Sequence, residues 1–201
     1  IFYNGAPVEV KDFESYVKLY IGPPSVKKRV YMQSLGWQVV ATTSEDDIFQ
    51  HVSFVNGIYT SRGGTHVDYI ADQIKQKLAD YLKQKKRITI KPQIIKNQLR
   101  LFVNASKIIN PIFDSQTKET LKTTRGKFTV KCDITSEFIE RLAKTDIVTK
   151  ILNQAAFKDI QSLAKTDGKK SKRVKVPKLL DANKAGTKHS KKCAIILTEG
   201  D

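Results

Sequence analysis

The stretch that most constrains the fold is a single apolar stripe at helical spacing. Val67, Ile70, Ala71, Ile74, Leu78, Tyr81 and Leu82 recur every three or four residues, so they line one face of a long helix. Thr65 stands where an N-cap belongs, and Asp68 lies near the helix's positive end. The helix runs into Lys83, Lys85, Lys86 and Arg87, cations that suit a helix C-terminus. So long an apolar stripe needs a partner surface. Strand-like runs supply it: Arg29 to Gln33, Gly36 to Thr43, Phe49 to Asn56, Leu99 to Ala105 and Lys127 to Cys132. Along Phe49 to Asn56 the alternation is imperfect, which suits a strand covered on both faces. Shorter helices follow Asp12, Pro92, Ser136 and Asp146, with Gly22-Pro23-Pro24 stopping the first. The pattern reads as an α+β layer, a sheet packed on helices.

Asn4-Gly5 marks a tight turn, and Thr60 to Gly64 reads as a flexible entry to the long helix. Trp37 and the tyrosines of the first helix read as core rather than as base-stacking platforms. From Lys165 the composition shifts: Lys165 to Lys192 holds eleven basic residues against Asp167 and Asp181, the pattern of a linker. Cys193 to Thr198 is a short apolar strand ending at Glu199-Gly200-Asp201. Ile1 is not a start methionine, and the chain reads as a fragment of a longer protein. No run approaches the ~18 apolar residues of a membrane helix, and the first residues show no basic segment followed by an apolar core, so no secretory signal is expected. Cys132 and Cys193 lack zinc-type spacing and read as free thiols. His51, His66 and His189 show no ligand spacing.

Formal net charge is +16, which predicts attraction to polyanions, nucleic acid first. Lys83 to Arg100 carries seven basic residues and no acidic one. The stretch Asn110 to Glu119, NPIFDSQTKE, follows the last of the long strands. It offers an amide, a hydroxyl and an ammonium in Gln116, Thr117 and Lys118, the groups that contact an anionic oxygen. Glu199, at the end of a strand and before a glycine, is placed for metal or acid-base work. Gly63-Gly64 is too little for a phosphate loop and reads as a tight start to the long helix.

FVNGIYTSRGGTH (Phe54 to His66), NPIFDSQTKE and LTEGD occur in the order found in type IIA DNA topoisomerases, and the chain resembles their eukaryotic and large-virus branch along nearly its whole length. The resemblance implies a transducer domain over residues 1–164, a basic linker over 165–192 and the first strand of a TOPRIM α/β domain over 193–201. It implies a mixed sheet crossed by the long helix, a fold shared with a ribosomal-protein domain. Lys118, with Gln116 and Thr117, would reach the terminal phosphate of ATP held by another domain. Lys83, Lys85, Lys86 and Arg87 match a basic loop facing captured DNA, though the glycines often found after those lysines are missing here. Glu199 would be one ligand of an incomplete magnesium site for DNA cleavage. The parent would be an ATP-hydrolysing homodimer acting on double-stranded DNA, in the nucleus or, for a virus, the host nucleus or viral factory, with no membrane partner. The fragment alone would be inactive. The rival reading is a non-enzymatic nucleic-acid-binding module of ribosomal type, which leaves NPIFDSQTKE and LTEGD unexplained. A bacterial-type member of the same enzymes is a third, favoured only by Gly63-Gly64-Thr65-His66.

Overall fold

The computed structural model describes residues 2–8, 10–25, 27–166, 180 and 182–194, with the side chains of 157–166 excepted. It divides into two units, Ile1–Leu152 and Asn153–Asp201.

The first unit opens with a small hairpin, β1 (Phe2–Tyr3) and β2 (Ala6–Pro7), turned by Asn4 and Gly5 at φ 48° and 78°. Helix α1 (Phe13–Ile21) starts from a capping box in which Asp12 accepts from the Ser15 amide at 2.7 Å and Ser15 reciprocates. Strands β3 (Arg29–Ser34), β4 (Trp37–Thr43), β5 (Gln50–Val55) and β6 (Ile58–Tyr59) follow. The long helix α2 (Thr65–Lys86) and the short α3 (Pro92–Asn97) lead to β7 (Leu99–Ala105). The sheet order is β3-β4-β7-β5-β6, antiparallel except for the parallel pair β5 and β7, so the sheet is mixed. The parallel pair needs a crossover, and α2 provides it.

Register explains the burial. Val40, Phe102 and Val52 lie side by side and pack against Phe13, Val17 and Ile21 of α1. The neighbouring rows Trp37, Val39, Ala41 and Leu101, Val103, Ala105 point to the other face, where Trp37 meets Tyr69 of α2 at 5.8 Å. Both faces of β5 are therefore covered, which accounts for its imperfect alternation. Val67, Ile70, Ala71, Ile74, Leu78 and Leu82 of α2 are buried. Trp37 is core as expected, but Tyr20 of α1 is 42% exposed.

Residues 127–132 are not a strand. Arg125–Lys127 forms a 3-10 turn, and the chain then bends at Thr129 and Val130 and continues without a strand partner. Phe128, Cys132 and Ile134 are buried while Thr129, Lys131 and Asp133 are exposed, so the alternation is real. The backbone partner is a side chain: Gln73 of α2 donates to the Cys132 carbonyl at 2.8 Å and accepts from the Ile134 amide at 3.1 Å. Helix α4 (Ser136–Ala143) is capped by Thr135, with Phe138, Ile139 and Leu142 buried. Asp146 precedes α5 (Ile147–Thr166), and its carboxylate accepts from the Thr43 hydroxyl at 2.5 Å. Helix α5 overruns the expected linker boundary by two residues. Within 182–194 the chain forms turns and a 3-10 helix at Ser190–Lys192.

Candidate functional site

The loop carrying Gln116, Thr117 and Lys118 is built from its base upward. As the chain leaves β7, the Asn56 side chain grips Ile108 at both backbone groups, donating to its carbonyl at 2.7 Å and accepting from its amide at 3.2 Å. Asn110 then turns the chain with φ 47°. From Ile112 to Thr123 the chain goes out and returns. Lys122 and Thr123 amides donate to the Ile112 carbonyl at 2.7 and 3.2 Å, and the Ile112 amide donates to Thr123 Oγ1 at 2.8 Å. Higher up, Phe113 faces Leu121 in a single antiparallel bridge. The Asp114 amide donates to the Thr120 carbonyl at 3.0 Å, and the Asp114 carboxylate accepts from the Thr120 amide at 3.1 Å. Those bonds with Thr120 hold the Asp114 carboxyl below the usual aspartate range.

The returning strand is locked to the start of α2. The Leu121 amide donates to the Gly63 carbonyl and the Thr65 amide to the Leu121 carbonyl, both at 3.0 Å. A Cβ on Gly64, whose φ is 126°, would sit 2.3 Å from the Leu121 carbonyl oxygen. Gly64 rather than Thr65 is the N-cap of α2, and the Thr65 hydroxyl donates to the Thr123 carbonyl at 2.7 Å. The expected flexible entry, Thr60 to Gly64, is therefore a brace: Thr60 is buried, and the Arg62 amide donates to the Glu119 carbonyl at 3.1 Å. Gly63-Gly64 starts the helix tightly, as the sequence suggests, and also admits the backbone of Leu121. Sequence reasoning missed Leu121, Thr123 and Asn56 as parts of the site, because nothing local marks a backbone contact made across the chain.

The tip is free by contrast. Gln116, Thr117 and Lys118 are all exposed. The Ser115 and Thr117 hydroxyls lie 2.6 Å apart, and the Lys118 amide donates to the Ser115 carbonyl at 3.1 Å. Lys118 itself takes φ 57°, and its ammonium forms no ion pair among the described residues. A rigid stem thus presents three polar groups, one cationic, to whatever approaches.

Beneath the brace lies a buried polar chain. Ser53 and Thr60 hydroxyls are 2.7 Å apart, and Thr60 Oγ1 is 3.2 Å from His66 Nε2. Burial pushes His66 down to about 3. His51, lowered by the same cause, stands where a Cβ on Gly63 would come within 2.9 Å of its ring. Neither histidine belongs to a group of potential metal ligands among the described residues.

The basic end of α2 is a second surface. Lys83, Lys85, Lys86 and Arg87 are exposed and form no ion pair among the described residues. Arg87 is the C-cap in the left-handed region, φ 54°, a place usually held by glycine. Two other basic residues of the run have structural partners: Lys96 reaches Asp68 at 3.1 Å and lies over the Phe49 ring, and Arg100 lies over Phe102. Glu199 and the whole of the LTEGD motif lie outside the described residues, as does most of the expected strand from Cys193 to Thr198.

A family model described as DNA gyrase B matches residues 12–171. The chain belongs to the DNA gyrase B family. It is 43% identical to the DNA topoisomerase 2 of Candida glabrata, 40% to that of Saccharomyces cerevisiae and 43% to that of Drosophila melanogaster, with all of the chain matched each time. It spans only 15%, 15% and 14% of those relatives. Two solved structures superpose with a TM-score of 0.67 each. One, at 39% identity over 75% of this chain and 38% of that one, is of the ATPase and transducer domains of DNA topoisomerase II from Balamuthia mandrillaris. The other, at 38% identity over 76% and 39%, is of the ATPase region of Saccharomyces cerevisiae topoisomerase II. The expected α+β class and the eukaryotic likeness within the family both hold.

Proposed function

We propose that this chain is the transducer part of an ATP-dependent type II DNA topoisomerase. Residues 1–164 form the transducer, 165–192 a basic linker and 193–201 the start of a TOPRIM domain. The observation that carries the reading is the contrast in the NPIFDSQTKE loop: a stem braced on Gly63, Gly64 and Asn56, and a tip where Lys118 has no ion-pair partner among the described residues. That geometry suits a charge delivered to a ligand held elsewhere. The described residues fit one arm of an ATP site, not an enclosing cradle. Lys118 would place its ammonium, and Gln116 and Thr117 their donors, on oxygens of the terminal phosphate, while ATP would supply the phosphoryl group whose hydrolysis drives the cycle. Phosphoryl transfer rests on positioning and charge neutralisation, so a lysine that arrives only in one domain arrangement acts as a gate. ATP state and domain angle are then linked through a nameable differential contact.

Lys83, Lys85, Lys86 and Arg87 would meet backbone phosphates of double-stranded DNA, without reading sequence. Glu199 would join magnesium ligands of the cleavage site that lie past Asp201, the metal supplying Lewis acidity there. The parent would work as a homodimer, in the nucleus of a cell or in the host nucleus or factory of a virus. ATP turnover by the parent tests the nucleotide half. Lys118→Ala lowers it by roughly 10²-fold with folding unchanged; unchanged turnover would leave the loop a purely structural hairpin.

A further inference from the structure

A third basic surface lies where α4 ends against the start of β3. Two adjoining hollows of about 350 Å³ each share Lys28 and Lys144 in their walls. Lys27 and Asp146 complete one, and Arg29 and Arg141 the other. Five cations therefore face two carboxylates, those of Asp146 and of Glu45, which Lys27 reaches at 2.7 Å. The Asp146 carboxylate is already engaged by Thr43. Lys28, Arg141 and Lys144 are exposed and form no ion pair among the described residues.

Helix chemistry accounts for part of this. Arg141 and Lys144 stand at the C-terminal end of α4, where the dipole favours cations. It does not account for Lys28, just before β3, or Arg29, its first residue. Arg29 is the telling residue. Its Nη1 donates to the Gly22 carbonyl at 2.7 Å, which fixes the side chain, but its Nε and Nη2 are buried with no acceptor. Charged donors left buried and unpaired are costly, and Arg29 is one of the residues that line this cationic hollow, so an anion entering there would relieve that cost once the guanidinium shifts to meet it. The excess of charge selects a multiply charged oxyanion over a single carboxylate, and a guanidinium fork beside ammonium groups suits a phosphate.

We infer that the cleft between the start of β3 and the end of α4 binds a phosphate group through Lys28, Arg29, Arg141 and Lys144. The source is either a backbone phosphate of nucleic acid or a free phosphate-type anion. The site stands independently of any role for Lys118 or for the end of α2.

The test is an NMR titration of the 201-residue chain with pyrophosphate, following the Arg29 Nε–H signal and the cleft amides. The inference predicts shifts confined to the cleft. It predicts a loss of at least about tenfold in affinity in the triple variant Lys28→Ala, Arg141→Ala, Lys144→Ala, whose exposed positions leave the fold intact. The control triple Lys83→Ala, Lys85→Ala, Lys86→Ala keeps wild-type affinity. A short DNA duplex that displaces pyrophosphate assigns the source to the nucleic-acid backbone; a duplex that leaves it bound assigns the free anion. No shift at the cleft, or equal loss in both triples, overturns the inference.

Discussion

At the scale of single residues, backbone geometry and burial set the strongest constraints. Gly64 has no room for a side chain, since its Cβ would strike the Leu121 backbone. Gly64→Ala therefore loses about 2–4 kcal/mol in chemical denaturation and loosens the loop base. Gly57→Ala, also at positive φ but facing open space, loses only about 1–2 kcal/mol. His66 carries a pH dependence of defined sign. Its folded pKa lies near 3, below the ordinary 6.5, so between those values the unfolded chain binds the extra proton. Stability is full above about pH 6.5 and falls as pH drops toward 3, by up to about 1.4 kcal/mol per unit. His51, near Asp68 and Lys96, adds to the fall in the same direction. Denaturation midpoints measured at several pH values check this, and His66→Asn flattens the slope without abolishing it.

At the scale of elements, Gln73 stands in for a whole strand by pairing with Cys132 and Ile134. Gln73→Ala leaves both backbone groups without that partner, costs about 1–3 kcal/mol, and speeds hydrogen exchange at the Ile134 amide. Unchanged exchange there would mean the segment is held by its buried side chains and by the bonds from Trp37 to the Val130 carbonyl and from Lys77 to the Ile134 carbonyl. This same segment shows what sequence could and could not tell. Alternation at Phe128, Cys132 and Ile134 reports which side is buried, not what the backbone pairs with. The stripe of α2 and the capping of α1 by Asp12 were legible because their signals are local. The parallel pairing of β5 with β7 was not, because it joins residues far apart in the chain. In the candidate site the motif itself was legible, from Gln116 to Lys118. Its bracing was not: Leu121 meets Gly64 through backbone atoms, and the brace reads in sequence as a loose glycine link.

At the scale of the whole molecule, charge is the dominant property. The net charge of +16 is spread over several surfaces, so bulk attraction to DNA and specific binding need separating. Duplex binding weakens steeply with salt, and removing Lys83, Lys85 and Lys86 together lowers the salt slope by about one unit for each phosphate they neutralise. An unchanged slope would place DNA on other basic residues. The proposed relay makes a sharper demand, since one exposed lysine at the tip of a braced loop would link nucleotide state to strand passage. The direct measurement is ATP-driven relaxation of supercoiled DNA by the parent protein, wild type against Lys118→Ala. The relay predicts a fall of roughly 10²-fold in relaxation with duplex binding retained. Relaxation at the wild-type rate would contradict it, and the loop would then be a structural hairpin on the start of α2.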